Sequence, residues 1–419
     1  MSNLCYQTKD LMMEDVALSD IVSAYGTPTF VYSLDQIKKS FLAYKSAFGG
    51  RDHLICYAVK ANSNLSILKV LSELGAGFDI VSEGEFYRVK KISDSFDNIV
   101  FSGVGKRYQE IVNTIEAGVG TINVESSSEL QRVAGIAEKL QLCVPIALRV
   151  NPNVDPKTHP YVSTGLKENK FGISIDDAPF LYDEIASNKY LEAKGVACHI
   201  GSQLTDISPI EESVSQVISL LKKIESKGIK VAQVDCGGGL GIPYSNDEEC
   251  PSPRVLVEML VNKIPEEYKI VIEPGRSIVG SAGVLLTNIE YIKSVPSKNF
   301  VIVDAAMTEL IRPALYRSSH KIIHLREKQL DEALQFEVVG PVCETGDWLG
   351  HGIKLEPEEG ETLAICDAGA YGFTMASNYN SRVRAAEVLV EGDKFKLIRN
   401  RESFEQLVEN EIHHVGKNK

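Results

Sequence analysis

At 419 residues, with 44% hydrophobic and 24% charged side chains, the chain has an ordinary globular composition and room for roughly two to three domains. Its net charge of −13 argues against nucleic acid or an anionic membrane as the main partner, while leaving room for a local anion site. No apolar run approaches a membrane span, and Met1–Val16 mixes Lys9, Asp10, Glu14 and Asp15 with apolar residues, so no membrane anchor or secretory signal is expected. The eight cysteines are scattered without a CxxC pair, a pattern of free thiols in a reducing cytoplasm rather than of disulfides or zinc.

In chain order, Phe30-Val31-Tyr32 is a short apolar run that stands before a long alternating region. That region predicts strands at Leu54–Val59, Phe78–Val81, Ile99–Ser102, Thr121–Val124, Ile146–Val150, Gly195–Ile200, Val231–Asp235 and Ile270–Glu273. Between them Ser63–Leu74, Gly84–Ile92, Glu129–Leu140 and Ile210–Lys227 carry apolar residues at helical spacing. Eight strands with helical crossovers predict a parallel (β/α)8 TIM-like barrel over residues 36–280, an open doubly wound sheet being the rival. After Pro274-Gly275 the rhythm changes. Val284–Val295, Phe300–Asp304, Phe336–Val339, Thr362–Cys366 and Ala385–Val390 read as strands of an antiparallel β-sandwich or barrel domain. This domain takes residues 281–419 together with 1–35, so that Phe30–Tyr32 adds a strand to it. A helix is expected from Glu402, fraying into His413–Lys419.

Parallel barrels carry their active groups at the C-terminal ends of the strands. Lys60 follows the first predicted strand, Asp79 lies on the second, Arg149 ends the fifth and His199 ends the sixth. Gly237-Gly238-Gly239 follows the seventh and Glu273-Pro274-Gly275-Arg276 the eighth. A glycine run can turn successive backbone N–H groups toward a phosphate, although read alone it is a weak signal and a tight turn is the commoner explanation. A lone lysine is usually a solvated charge, but one desolvated in a barrel mouth is an imine-forming nucleophile. A lone histidine is more often a satisfied core residue; beside a flat cofactor it can stack. Glu273 offers a carboxylate to a pyridine nitrogen, or pairs with Arg276. Taken together, lysine, phosphate turn and carboxylate point to pyridoxal 5'-phosphate (PLP).

These residues fall in an ordered series of motifs: YAVKAN at 57–62, GAGFDIVSEGE at 75–85, HPYVSTGLKENKFGI at 159–173, HIGSQ at 199–203, GGGLGI at 237–242, EPGR at 273–276, IRPALY at 311–316, CETGD at 343–347 and DAGAYG at 367–372. From about Phe30 to Val390 the series resembles the diaminopimelate decarboxylase family, of the alanine-racemase-like class of PLP enzymes. The resemblance implies that Lys60 carries the cofactor covalently, that His199 stacks on its ring and that Glu273 pairs with its nitrogen. Asp79, Ser202, Gly237, Gly238, Gly239, Gly275, Arg276 and Tyr371 complete the implied cofactor site. Arg276, Arg312, Tyr316, Glu344 and Tyr371 are the implied substrate contacts. Cys343, the implied proton donor, and Glu344 would come from the partner subunit of a homodimer.

The sequence departs from the family's pattern at three places. Asp304–Glu309 reads DAAMTE where DAGMND is common, CETGD has threonine for serine, and Cys236 replaces an aliphatic residue. The first leaves the loop carrying Arg312 as the place where substrate contacts would differ. The implied reaction is decarboxylation of meso-2,6-diaminopimelate to L-lysine, the last step of lysine biosynthesis. Arg312 favours this substrate over ornithine or arginine, whose same-class decarboxylases need no distal carboxylate site. A non-catalytic PLP carrier is the reading from another class, disfavoured because Lys60, Cys343 and Asp347 are all present.

Overall fold

The computed structural model describes residues 4–155, 169–245, 248–330, 333–412 and 414. The chain divides into two compact units: Lys38–Ile242 with Glu249–Ser277, and Met1–Ile37 with Pro243–Glu248 and Ile278–Lys419. All eight cysteines are thiols. Among the described residues no helix is long and apolar enough to cross a membrane, and no cluster of side chains suits a metal ion.

The first unit is the closed parallel barrel. Its strands are β1 (His53–Ala58), β2 (Gly77–Ile80), β3 (Ile99–Phe101), β4 (Thr121–Val124), β5 (Val144–Asn151), β6 (Leu191–Ala197), β7 (Gln233–Asp235) and β8 (Lys269–Ile272). Each pairs in parallel with its chain neighbour, and β8 pairs with β1 through Ile270↔His53 to close the ring. Strands covered on both faces are rich in Val, Ile, Leu and Phe, and the apolar residues in all eight make the strands legible even where polar side chains interrupt them, as on β4 and β7. The crossover helices begin where a short polar side chain can take an orphan N–H: Asn64, Ser82, Ser126 and Ser252 each accept a first-turn backbone bond. Inside the ring, Cys56, Val100 and Val271 pack as an apolar cluster against Leu54. Thr121 and Asn123 on β4, like Gln233 and Asp235 on β7, are two residues apart and so share a face. Gln233 Nε2 donates to Thr121 Oγ1 at 3.0 Å, and Asn123 Nδ2 to Asp235 Oδ2 at 3.2 Å.

The second unit is built on a sheet in the order Trp348–Leu355, Leu334–Val339, Lys298–Val303, Gly283–Val295, Thr29–Ser33, Ala386–Glu391, Lys394–Arg399. The expected antiparallel domain is corrected at two pairings. Lys298–Val303 runs parallel to Leu334–Val339, and Thr29–Ser33 runs parallel to Ala386–Glu391, so the sheet is mixed. Parallel neighbours need a long crossover, and both connections here are long enough to supply one. Phe30–Tyr32 does add a strand: Thr29–Ser33 is buried throughout and also pairs antiparallel with Gly283–Leu286. Gly283–Val295 is buried in its first half and largely exposed in its second, with a register shift between Ile289 and Tyr291 that bends it. A three-stranded sheet of Leu4–Gln7, Asp10–Met13 and Val16–Ala17 precedes it. Its Leu11, Met13 and Val16 join one core with Val31, Val284, Leu286 and Val388. Among the described residues the tail is helical over Phe404–Val408.

Candidate active site

The loops after the barrel strands place the predicted cofactor residues. Lys60 sits in a 3-10 turn, Val59–Ala61, directly after β1, and its Nζ forms an ion pair with Asp79 Oδ2 on β2. Asp79 is wholly buried, and among the described residues its Oδ1 has no hydrogen-bond partner. Burial of this kind is tolerated where the carboxylate holds a cation in place. Nearby, Glu85 accepts Val81 N–H at 2.7 Å, and burial pushes its carboxyl up to about 7 against the opposing pull of Lys60.

His199 lies two residues past β6 rather than on it, because the strand ends at Ala197. Its Nδ1 accepts the Gly238 N–H at 3.2 Å, which leaves the proton of the neutral ring on Nε2. Burial, with Arg149 and Lys60 as neighbouring cations, holds its pKa well below the ordinary histidine value. Arg149 is fixed on β5 by Glu125 at 3.1 Å and lies 4.9 Å from the Phe171 ring.

The glycine turn after β7 is close-packed rather than merely flexible. Gly237 has φ +65°, and a Cβ there would fall 2.8 Å from His199 Nδ1. At Gly238 a Cβ would lie 2.2 Å from the carbonyl oxygen of Glu273. Only bare backbone fits, and Gly237 O accepts Glu273 N–H at 2.7 Å. Gly275 packs its Cα face against Ala58 and Ala61, tying the EPGR turn to the strand end that bears Lys60. Arg276, buried, donates from Nη2 to Ser202 Oγ at 3.0 Å, so guanidinium and hydroxyl form one cationic, hydrogen-bonding wall.

Beneath these groups lies a network that sequence reasoning missed. Asp235 accepts Gly237 N–H at 2.9 Å and Asn123 Nδ2 at 3.2 Å. Asn123 Nδ2 also reaches Ser102 Oγ at 3.1 Å, and that hydroxyl approaches Glu273 Oε1 at 3.5 Å. Ser102, Asn123, Arg149, His199, Asp235 and Glu273 line one small cavity. Burial is the main reason the Asp235 carboxyl is pushed up to about 6, and Glu273 is raised well above the carboxylate range, with Asp235 and Asp79 adding to the effect. Polar residues facing into a barrel at strand spacing were the available signal.

The predicted substrate residues all lie in the second unit except Arg276. Arg312 opens the short helix Arg312–Tyr316 and is buried; Tyr316 is half-buried. Burial pushes Asp367 up to about 6, opposed by Ser281, Lys321 and Arg312. Tyr371 is held at φ +56° within DAGAYG. Cys343 and Glu344 are exposed on a tight turn. Buried Asp347 anchors that turn by accepting Met307 N–H at 2.6 Å and Val342 N–H at 2.8 Å. Asn380 Oδ1 accepts Cys343 N–H at 3.1 Å, and Tyr379 donates to Glu344 at 2.7 Å. The DAAMTE departure is accommodated: Glu309 takes Ala306 N–H at 2.8 Å and Thr308 Oγ1 at 2.9 Å, and Asp304 takes Thr287 Oγ1 at 2.7 Å. Of the motif at 159–173, residues 159–168 lie outside the described residues.

A parallel barrel with a strand-end lysine, a close-packed glycine turn and a buried carboxylate defines a class of cofactor-dependent enzyme. Residues 34–280 match the family model described as the pyridoxal binding domain of pyridoxal-dependent decarboxylases. The chain is 47% identical to the diaminopimelate decarboxylase of Pseudomonas aeruginosa, over 97% of this chain and 98% of that one. It is 46% identical to that of Aquifex aeolicus, over 96% of each. The solved diaminopimelate decarboxylase of Helicobacter pylori, complexed with L-lysine, superposes with a TM-score of 0.91 at 42% identity, covering 95% of this chain and 100% of that one. The chain belongs to the pyridoxal-dependent decarboxylase family, and within it to the diaminopimelate decarboxylases.

The mouth of the barrel fits PLP on its own geometry. The glycine cradle has no space for a Cβ, Ser202 and Arg276 add hydrogen-bond donors, and Lys60 pairs with a buried carboxylate whose second oxygen has no partner among the described residues.

Proposed function

We propose that the protein decarboxylates meso-2,6-diaminopimelate to L-lysine and CO2, closing lysine biosynthesis in the cytoplasm. It acts as a homodimer with PLP in the barrel domain, residues 36–280. The observation that carries the reading is the single mouth that gathers Lys60, Asp79, His199, Glu273 and the close-packed glycine turn. Bound PLP supplies an electron sink for the pair left behind when CO2 departs.

The chain's own residues do the rest. Lys60 would hold the cofactor covalently, and Asp79, which pairs with its Nζ in this structure, would keep that side chain oriented in the barrel mouth. Gly237–Gly239, Ser202, Gly275, Arg276 and Tyr371 hold the phosphate. His199 offers a neutral ring face, and Glu273 fixes the charge of the pyridine nitrogen. Arg276, Arg312, Tyr316, Tyr371 and Glu344 read the substrate, with forked guanidinium groups for carboxylate and Glu344 for ammonium. The bond from the α-carbon to its carboxylate breaks, and one proton reaches that carbon from Cys343 of the partner subunit. Glu344 comes from the same partner turn.

The test is direct. PLP-loaded protein is incubated separately with diaminopimelate, ornithine and arginine, and CO2 release is measured. Release from diaminopimelate alone is expected. Release chiefly from ornithine or arginine overturns the substrate, and visible absorbance with no release from any of the three marks a carrier.

A further inference from the structure

The arginine read as a substrate contact is held from outside its own helix. Arg312 Nη1 lies 2.8 Å from His320 Nε2, and His320 Nδ1 lies 2.8 Å from the carbonyl oxygen of Cys366. A carbonyl only accepts, so Nδ1 carries the ring's proton. Nε2 is then a lone pair, and Arg312 donates to it. The imidazole is therefore neutral and works as a bridge from the backbone after Ile365 to the guanidinium. Both side chains are buried, each about 3% exposed, so water does not compete for this bond.

A third group completes the clamp. The Tyr244 ring lies 4.3 Å from Arg312 Cζ, and it meets the His320 ring edge to face, with centroids 5.1 Å apart at 70°. Tyr244 belongs to Pro243–Glu248, the segment that leaves the barrel's glycine turn and groups with the second unit. Its backbone N–H is tied to Glu248 at 2.9 Å. One edge of the guanidinium is thus fixed by histidine and one face by tyrosine.

We infer that His320 is a positioning residue for Arg312, setting in advance the guanidinium orientation that reads the substrate's distal carboxylate. The inference rests on the role proposed for Arg312. Its physical content is preorganisation: an unclamped arginine must lose its rotamer freedom at the moment of binding, whereas this one has lost it on folding. His320 then governs how tightly a carboxylate-bearing ligand binds and leaves the bond-breaking step alone. It touches neither cofactor nor reacting atoms in this scheme.

The experiment compares His320→Phe, His320→Gln, Arg312→Ala and the His320→Phe/Arg312→Ala double variant as PLP-loaded enzymes. Phenylalanine keeps the ring and removes the acceptor, while glutamine can return an oxygen near the Nε2 position. His320→Phe should raise KM for diaminopimelate about tenfold, the scale set by ordering one long side chain, with kcat within about twofold. The inhibition constant of L-lysine should rise in parallel, whereas that of 1,5-diaminopentane, which has no carboxylate, should not move. His320→Gln should recover much of the KM, and the double variant should be no worse than Arg312→Ala. Should Arg312→Ala itself bind diaminopimelate normally, the proposed role of Arg312 fails. An impaired Arg312→Ala beside a normal His320→Phe overturns the inference while sparing that role. Equal loss of PLP absorbance in the phenylalanine and glutamine variants would make His320 a folding residue and also overturn it.

Discussion

Replacing Gly238 by alanine tests whether the glycine turn is a cradle or only a bend. The new Cβ would sit 2.2 Å from Glu273 O and 3.0 Å from Glu273 C, against an ordinary contact of at least 3.4 Å. Neither neighbour is a flexible side-chain end. The turn or the β8 strand end must move by more than an ångström, and the Glu273 N–H bond to Gly237 O at 2.7 Å lies across the same gap. Overpacking of this kind costs about 1–3 kcal/mol. If the relaxed turn no longer presents its N–H groups and Glu273 together, that cost falls on cofactor binding. At 1.4 kcal/mol per factor of ten, PLP should bind about five- to a hundredfold more weakly. The assay is titration of apoprotein with PLP, read by visible absorbance, beside Gly105→Ala, where a Cβ meets nothing within 4 Å. PLP affinity within twofold of wild type in Gly238→Ala, with the fold intact, would refute the cradle.

Three further outcomes follow from the site. Lys60→Ala should abolish the borohydride-reducible bond to PLP; a reducible bond that persists moves the covalent role to another lysine. Burial raises the folded-state pKa of Asp235 from 3.8 to about 6. The stability it contributes to apoprotein is therefore fully present below pH 4 and is lost as pH rises through 6. Asp235→Asn, which cannot ionise, should flatten that part of the thermal-melting profile between pH 4 and 7, and an unchanged profile would place the titration elsewhere. Lys60→Ala and Cys343→Ala homodimers should each be nearly inactive. Random mixed dimers should recover about a quarter of wild-type activity, since half the dimers are mixed and each has one intact site. No recovery in verified mixed dimers would put both groups in one chain's site.

What the sequence determined by itself is the local part of this molecule. Eight short, largely apolar runs separated by helical stretches announced the barrel, because hydrophobic pattern is a property of consecutive residues. The chemical groups were legible for the same reason: Lys60, Asp79, Glu273 and the glycine run stand on strands or just after them. The N-terminal hairpins were not legible. Their turns use Thr8-Lys9 and Glu14-Asp15, with Thr8, Lys9 and Glu14 at positive φ, and so lack the Asn-Gly or Asp-Gly signature such turns usually carry. Edge strands such as Lys394–Arg399 and Trp348–Leu355 were missed because exposed or irregular burial erases alternation.

Tertiary structure alone decided which distant residues meet. Thr29–Ser33 takes Ala386–Glu391 as a parallel neighbour from the far end of the chain, and nothing in either run specifies that partner. Asp235 finds Asn123, which leads on through Ser102 to Glu273, only because the closed ring turns β4 and β7 inward together. Arg312 is clamped by His320 and Tyr244, residues that lie outside every sequence motif. Local pattern fixes what a segment is, because it depends on neighbours in sequence. Which hydrogen-bond acceptor a buried donor finds is fixed by the packing of the whole unit, where every polar group must be satisfied at once.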